Sequence, residues 1–98
     1  MPVTFPSAEK MDAVQAQLRA VCNLKRLKIL EALSEKPGTT NVKQIAKKLN
    51  IEHSSTCVHL AVLAEAGYVT ENKEGREAFY EIDFFKLKRF ERISKILR

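Results

Sequence analysis

The sequence predicts an α+β fold in which four helices lead into a β-hairpin and a fifth helix follows. Three observations support this fold class. Apolar residues recur at helical spacing up to residue 66, the spacing changes to two after Gly67, and helical spacing returns after Asp83. With 98 residues and 45% hydrophobic composition, the chain has the size of one domain, which we expect to cover 1–98.

The composition is basic. Lys and Arg number 17 against 12 Asp and Glu, for a formal net charge of +5, which favours a polyanionic partner. No apolar run approaches the roughly 20 residues that span a bilayer, and 1–10 has no signal-peptide core. We therefore expect a cytoplasmic protein with no membrane partner. Cys22 and Cys57 do not form a disulfide framework, and both are expected to be thiols.

The first two helices each begin at a plausible N-cap, Ser7 for helix one and Asn23 for helix two. Helix one, predicted at 7–22, has only a thin apolar seam, so we expect it to serve a partner helix as much as the core. Helix two has a strong core face of leucines. It stops before Pro37 and Gly38, which make continuation of the helix unfavourable.

The stretch 41–66 is predicted to be a helix-turn-helix. Asn41 followed by Gln44 is a capping-box-like start for a short helix three. A tight turn then leads into helix four, and two helices joined in this way define the motif. The start of helix four is open by about two residues, because Glu52 stands where a Ser or Thr cap is expected and Ser54 is an alternative cap.

Helix four has one narrow buried stripe, formed by Thr56, Leu60 and Leu63, and an opposite face of short, hydrogen-bonding side chains. Base edges in a nucleic-acid groove are met by such short polar groups, whereas phosphates are met by Lys and Arg. His59 lies at the boundary of the stripe and is expected to be a hydrogen-bonded, half-buried histidine. Gly67 ends the helix in a left-handed turn.

The segment 68–82 alternates apolar and polar residues and has a glycine turn at Gly75, which predicts a β-hairpin. A hairpin directly after a helix-turn-helix occupies the position of a wing. Thr39 and Thr40 are also candidates for a very short strand.

The last helix, predicted at 84–98 and capped by Asp83, has an apolar stripe that nothing later in the chain covers. Helix one has the same need. Pairing of both helices with those of a second copy satisfies it through a two-fold interface. The residues expected in this homodimer interface are Met11, Val14, Leu18, Leu87, Phe90, Ile93 and Leu97.

Four stretches of local sequence, at 26–33, 45–51, 59–69 and 74–80, read RLKILEAL, IAKKLNI, HLAVLAEAGYV and EGREAFY. In this order and register, they resemble the ArsR/SmtB family of small bacterial repressors. The resemblance implies a winged helix-turn-helix of five helices with a two-stranded wing. It also implies a homodimer that binds a palindromic operator in double-stranded DNA and is released by a ligand or chemical signal, here unknown.

The chain departs from the family pattern in two places. In helix four, His53 stands where the family often has Gln, and Val58 stands where it often has Gln or His. Ala61 replaces a frequent Lys. Val58 cannot hydrogen-bond a base but can contact a thymine methyl, so we expect an unusual operator or weaker base reading. The family's cysteine-pair motif would fall at 41–45, and its final-helix metal set would need histidines after Asp83; neither is present. We therefore expect no metal and no cofactor.

The candidate DNA-binding residues fall into two groups. Those on the exposed face of helix four are His53, Ser54, Ser55, Cys57 and Val58. Those expected to meet phosphates are Lys43, Lys47, Lys48, Lys73 and Arg76. The alternative for the first group is a solvated helix face, and several of the lysines are expected to be solvated only.

Two other functions stay open. A redox or reactive-sulfur sensor would switch through Cys57, with Cys22 as a second candidate, because a helix N-terminus favours the thiolate. Against this, Cys57 can simply stand in for a serine, and Cys22 is expected to be buried packing. A winged-helix module that binds protein is the other alternative, suggested by Val58 and Ala61 in place of polar contacts.

Metal and enzyme functions are disfavoured by the residues themselves. Cys57 and His59 lie two apart, so they point to different sides of a helix. The chain has no phosphate-binding glycine loop and no nucleophile with a plausible base, and we expect no enzymatic activity.

Overall fold

The computed structural model describes residues 7–36, 40–86 and 88. The elements are α1 (Ala8–Val21), α2 (Leu24–Glu35), β1 (Thr40–Asn41), α3 (Val42–Leu49), α4 (His53–Glu65), β2 (Val69–Glu74) and β3 (Glu77–Ile82). Helical backbone resumes at 84–86 and at Lys88. This order confirms the predicted α+β winged helix-turn-helix.

Side-chain caps begin the helices where the sequence predicts them. Ser7 accepts a hydrogen bond from the Lys10 amide at the start of α1, and Asn23 accepts one from the Arg26 amide at the start of α2. After the sheet, the Asp83 carboxylate accepts hydrogen bonds from two backbone amides, at 3.0 and 3.3 Å. Each cap satisfies helix-terminal N–H groups that have no partner within the helix.

The core lies between the helices and the inner side of the sheet. Leu60, Leu63 and Thr56 of α4 are completely buried, and Ile29 and Leu33 of α2 pack in the same cluster. The predicted buried stripe of α4 is therefore confirmed. Burial of each large aliphatic side chain contributes roughly 1.5 to 3 kcal/mol to folding, so α4 is fixed in the domain by its inner side.

The sheet has three antiparallel strands in the order β1-β3-β2. The two-stranded wing predicted from the sequence is thus correct for β2 and β3 but incomplete, because Thr40 of β1 pairs with Tyr80 of β3. Beyond Val69, the residues of β2 are exposed, so the hairpin extends away from the core. Gly75, with φ of 63°, occupies its two-residue turn.

The junction between α4 and the wing is tight. Gly67 has φ of 87°, the left-handed conformation predicted for it. The Tyr68 amide donates to the Leu63 carbonyl, and the Asp83 amide donates to the Tyr68 carbonyl. The Tyr68 hydroxyl donates to the Gln17 carbonyl at 3.3 Å, which joins the base of the wing to α1.

The structure does not confirm two of the sequence predictions, on Cys22 and on the final helix. Cys22 was expected to be buried, but its side chain is exposed, because it follows the last residue of α1 as the C-cap, where the backbone leaves the helix. The predicted interface residues Leu87, Phe90, Ile93 and Leu97 of the final helix lie outside the described residues. In the part of the chain that the structure describes, no helix has both the length and the apolar content needed to cross a membrane.

Candidate nucleic-acid interface

The turn of the helix-turn-helix is set by Asn50. Its backbone is left-handed, with φ of 54° and ψ of 48°, and its amide donates back to the end of α3. Asn is one of the few residues with a side chain that adopts this conformation at low cost. The Ile51 amide then donates to the Ala46 carbonyl at 3.0 Å. The chain thereby leaves α3 abruptly and enters α4 at His53.

α4 begins without a side-chain cap. Glu52 occupies the N-cap position but makes no capping hydrogen bond, and Ser54 lies inside the helix rather than at its start. The hydroxyl and the amide of buried Thr56 both donate to the Glu52 carbonyl at 2.9 Å. A buried side chain therefore fixes the first turn of α4 from its inner side, and the outer side of that turn carries no structural bond from Glu52.

Successive residues of an α-helix are rotated by about 100°, which divides the outer surface of α4 into a front and two flanks. Ser54, Val58 and Ala61 form the front and are exposed, Val58 to 61%. His53 and half-buried Cys57 lie on one flank, with the Cys57 sulfur 3.8 Å from Nδ1 of His53.

The flank with Cys57 faces the wing. Burial, the Glu71 carboxylate and the Cys57 thiol together raise the pKa of Tyr80, which lies on β3. The opposite flank carries Ser55 and His59, both half-buried, and faces α2.

A groove of about 250 Å³ opens where α3, α4 and the wing meet. Lys43 lines it from the start of α3, His53 from the start of α4, and Arg76 from the turn of the hairpin. Three predicted site residues that are far apart in the sequence are therefore gathered at one place. Lys43 and Arg76 are cations, and the Glu77 carboxylate also lines the groove.

The remaining lysines differ in their surroundings. Lys47 is exposed on the outside of α3. Lys48 forms an ion pair with Glu35 of α2, and Nζ of Lys73 lies 3.8 Å from a carboxylate oxygen of Glu71. Exposed ion pairs contribute about 0 to 1 kcal/mol, so phosphate can compete for either lysine, although Lys48 is turned toward α2.

His59 is half-buried and hydrogen-bonded, as predicted. Its Nδ1 accepts from Nε of Arg26 at 3.1 Å, and the same guanidinium donates through Nη1 to the Arg19 carbonyl at 3.2 Å. Burial, followed by the charges of Arg26 and Lys25, lowers the pKa of His59 below 6.5. Arg26 was not among the predicted functional residues, because its partner is 33 positions away along the chain.

The apolar seam of α1 is on the surface. Met11, Val14 and Leu18 are 43%, 47% and 37% exposed, and the aromatic rings of Phe84 and Phe85 are exposed where helical backbone resumes after the sheet. Across the described ranges, no three His, Cys, Asp or Glu side chains are grouped as a metal site would require.

A helix-turn-helix followed by a wing, with basic residues around an outward helix face, defines the class of winged helix-turn-helix DNA-binding transcriptional regulators. A sequence model described as "Bacterial regulatory protein, arsR family" matches residues 23–71, which is half of the chain. The chain therefore belongs to the ArsR family of transcriptional regulators. Its family and fold are those of regulators rather than enzymes.

Solved structures share this fold over nearly the whole chain. The homodimeric winged helix-turn-helix DNA-binding domain of a possible ArsR-family regulator from Mycobacterium bovis is 23% identical, with a TM-score of 0.80 over 99% of this chain and 90% of that one. NolR from Sinorhizobium fredii is 24% identical, with a TM-score of 0.78 over 98% and 95%. Reduced HlyU from Vibrio cholerae is 25% identical, with a TM-score of 0.70 over 90% and 92%. No curated protein sequence gives a significant match.

Proposed function

We propose that this protein is a homodimeric repressor that binds a palindromic operator in double-stranded DNA. The observation that carries the proposal is the groove where Lys43, His53 and Arg76 converge beside the exposed front of α4. One side of a duplex presents base edges flanked by phosphates, and this surface has short side chains flanked by cations. We assign the front of α4 to the major groove and the cations to the phosphates.

Base reading in this proposal depends on short side chains. Ser54 offers a hydroxyl that donates or accepts, and His53 offers a ring nitrogen. Val58 supplies an apolar contact suited to a thymine methyl group. Ser55 and Cys57 are half-buried on opposite flanks, so we assign them to the edges of the contact rather than to its centre.

Phosphate binding falls to side chains on the two elements that flank α4. We assign Lys43 and Lys47 of α3 to one side of the major groove, and Lys73 and Arg76 of the wing to the flanking backbone. The net charge of +5 per chain supports binding to a polyanion.

Dimerisation places two copies of α4 on one face of the DNA. Met11, Val14 and Leu18 are exposed apolar residues of α1, which supports the proposal that a helix of the partner packs against them. The Mycobacterium bovis domain of the same fold is a homodimer. We assign the final helix, 84–98, to the same interface. Two-fold related recognition helices read half-sites about 34 to 36 Å apart, which is why the operator is expected to be palindromic.

Repression then follows from occupation of a promoter in the cytoplasm. Induction requires a signal that favours a dimer geometry with the wrong spacing between the two copies of α4. The family's usual metal ligands are absent from the sequence at 41–45 and after Asp83, so the signal is expected to be something other than a metal bound there.

A salt series on an operator duplex tests the DNA assignment. Roughly six to ten phosphate contacts per dimer predict that log affinity falls with log salt with a slope of about −5 to −9. The duplex is chosen from the promoter upstream of the protein's own gene, with a random duplex as control. A flat salt response on both duplexes would favour a protein partner for the same face and overturn the proposal.

Substitutions distinguish residues that contact phosphates from residues that contact bases. Lys73→Ala and Arg76→Ala should weaken specific and random duplexes alike and reduce the salt slope by about 2 each, because each removes one phosphate contact per protomer and therefore two per dimer. His53→Ala should instead alter preference at particular base pairs. Competition binding against single-base operator variants measures this, and equal losses on operator and random DNA for His53→Ala would contradict the assignment.

A redox-responsive repressor is the second candidate, favoured by the 3.8 Å contact between the Cys57 sulfur and His53. Oxidation by hydrogen peroxide converts the thiol to a sulfenic acid and releases water, which adds bulk at the DNA contact. Peroxide should then release DNA from the wild type and not from Cys57→Ser, with Cys22→Ser as the matched control. Equal release from wild type and Cys57→Ser would remove this candidate.

A further inference from the structure

The Arg26 side chain joins three helices. Its Nε donates to Nδ1 of His59 on α4 at 3.1 Å, and its Nη1 donates to the Arg19 carbonyl of α1 at 3.2 Å. Its own amide is held by Asn23, the N-cap of α2. Because the guanidinium is planar and rigid, the two bonds fix the distance and angle between the end of α1 and the middle of α4.

Apolar contacts between α1 and α4 at this place are made by small side chains. A groove of about 310 Å³ lies between the two helices beside Arg26, and its apolar lining consists of Ala16 and Ala20 of α1, Val62 of α4, and Ala66, the C-cap of α4. Ala20 is also buried in the core cluster that contains Leu60 of α4. Small side chains impose little direction on one another, so the hydrogen bonds of Arg26 add a directional link between the two helices.

The hydrogen bonds of Arg26 end next to the proposed DNA-reading surface of α4 and next to the proposed dimer interface of α1. His59 is the residue after Val58, whose side chain is on the front of α4. Arg19 follows Leu18, whose side chain is part of the exposed seam of α1. A rotation of α4 about its axis is resisted by the wing on one flank and by Arg26 on the other.

We propose that Arg26 and His59 are positioning residues for DNA binding, which hold the front of α4 at a defined orientation to the dimerisation helix α1. The inference rests on the proposed function and adds to it the contact that relates the dimer interface to the DNA-reading surface. Neither residue needs to touch DNA.

The link requires a neutral imidazole. Arg is only a donor, so Nδ1 of His59 must have a free lone pair to accept from it. A proton on Nδ1 breaks the bond and places two cations side by side. Lys25 of α2 is a second positive charge that disfavours the imidazolium. Arg19 of α1 and Glu65 of α4 line the same groove as Arg26. Burial and the charges of Arg26 and Lys25 lower the pKa of His59, so the link is intact at neutral pH and weakens as pH falls through that lowered pKa.

Matched variants of His59 test the inference by DNA affinity at constant ionic strength. Asn places an acceptor near the position of Nδ1 and does not titrate, whereas Leu removes the acceptor, and neither differs greatly from His in helix propensity. At about pH 7.5, we expect His59→Asn to bind operator within about twofold of wild type. We expect His59→Leu and Arg26→Gln to bind about tenfold more weakly, a loss of about 1.4 kcal/mol.

The pH dependence is measured in a His53→Gln background, so that His59 is the one remaining histidine of the two in the chain. His53 is replaced because it is the other histidine of the chain and lines the groove assigned to DNA. As pH falls from about 7.5 through the lowered pKa of His59, the background protein should lose several-fold more affinity than the same protein with His59→Asn. Equal pH responses would overturn the inference, and so would full DNA affinity of His59→Leu at neutral pH.

Thermal unfolding of each variant without DNA separates positioning from general stability. A merely structural role predicts that affinity returns for His59→Leu once the temperature is lowered well below its unfolding transition, which would also overturn the inference. Failure of the proposed function has a different signature, since the wild type would then bind no duplex at any pH.

Discussion

The two helices of the helix-turn-helix are built in opposite ways. α3 is specified by its own sequence: Asn41 and Gln44 form a complete capping box with hydrogen bonds of 2.9 and 3.0 Å, and Asn50 ends the helix. α4 has no side-chain cap and is held by buried residues such as Leu60 and by its neighbours on both flanks. The helix assigned to phosphates is capped at its start by its own side chains, whereas the helix assigned to bases is held by its inner side and its flanks, so the side chains on its front make no structural bond.

The largest expected effect on stability comes from comparing a buried and an exposed apolar residue of α4. Leu60 is completely buried and Val58 is 61% exposed. Leu60→Ala should lower the free energy of unfolding by about 3 kcal/mol, because it removes buried methyl groups and leaves a cavity. Val58→Ala should change it by less than about 0.5 kcal/mol while weakening operator binding. Urea unfolding measures both, and comparable destabilisation by the two substitutions would show that the front of α4 is structural.

Caps provide the next test. Asn41→Ala should cost about 1 kcal/mol of stability, because it removes the acceptor for the Gln44 amide at the start of α3. Glu52→Ala should have a much smaller effect, since Glu52 makes no capping bond, and Glu52→Ser should stabilise by about 0.5 kcal/mol by adding one. The same unfolding measurement decides, and a loss for Glu52→Ala as large as that for Asn41→Ala would break the contrast between the helices.

The smallest expected effect is the pH dependence of stability that comes from the α2 flank of α4. The pKa of His59 is lowered in the folded state, so the unfolded chain takes up a proton first as pH falls. The stabilisation is therefore complete above about pH 6.5 and declines as pH falls through the lowered folded-state pKa. His59→Asn should remove this decline from unfolding curves measured across that range, whereas His53→Asn, at an exposed position, serves as the control.

The features that the sequence predicted correctly are encoded over a few neighbouring residues. Ser7, Asn23 and Asp83 each act on an amide within three positions, and the buried stripe of α4 follows from helical period alone. Gly67 and Gly75 mark their turns because few other residues adopt positive φ at low cost. Local rules were therefore sufficient for the helices, the turn and the hairpin.

The features that were missed depend on distant parts of the chain. The pairing of Thr40 with Tyr80 requires two segments 40 positions apart, and the bond of Arg26 to His59 spans 33. Cys22 was wrongly predicted to be buried because residue type, rather than its position after the last turn of α1, guided the prediction. The assignments of DNA-contacting and interface residues stay predictions, although the structure gathers three of the former around one groove.

The two tyrosines have a practical consequence. Tyr68 and Tyr80 are both buried, and the chain contains no tryptophan. Tyrosine emission therefore comes from rings enclosed by the domain, and burial also raises the pKa of both phenols. Tyrosine fluorescence should change when the domain unfolds and should change little when DNA binds at the front of α4. A tryptophan introduced at Val58 would supply a second, separable optical signal for docking on the operator.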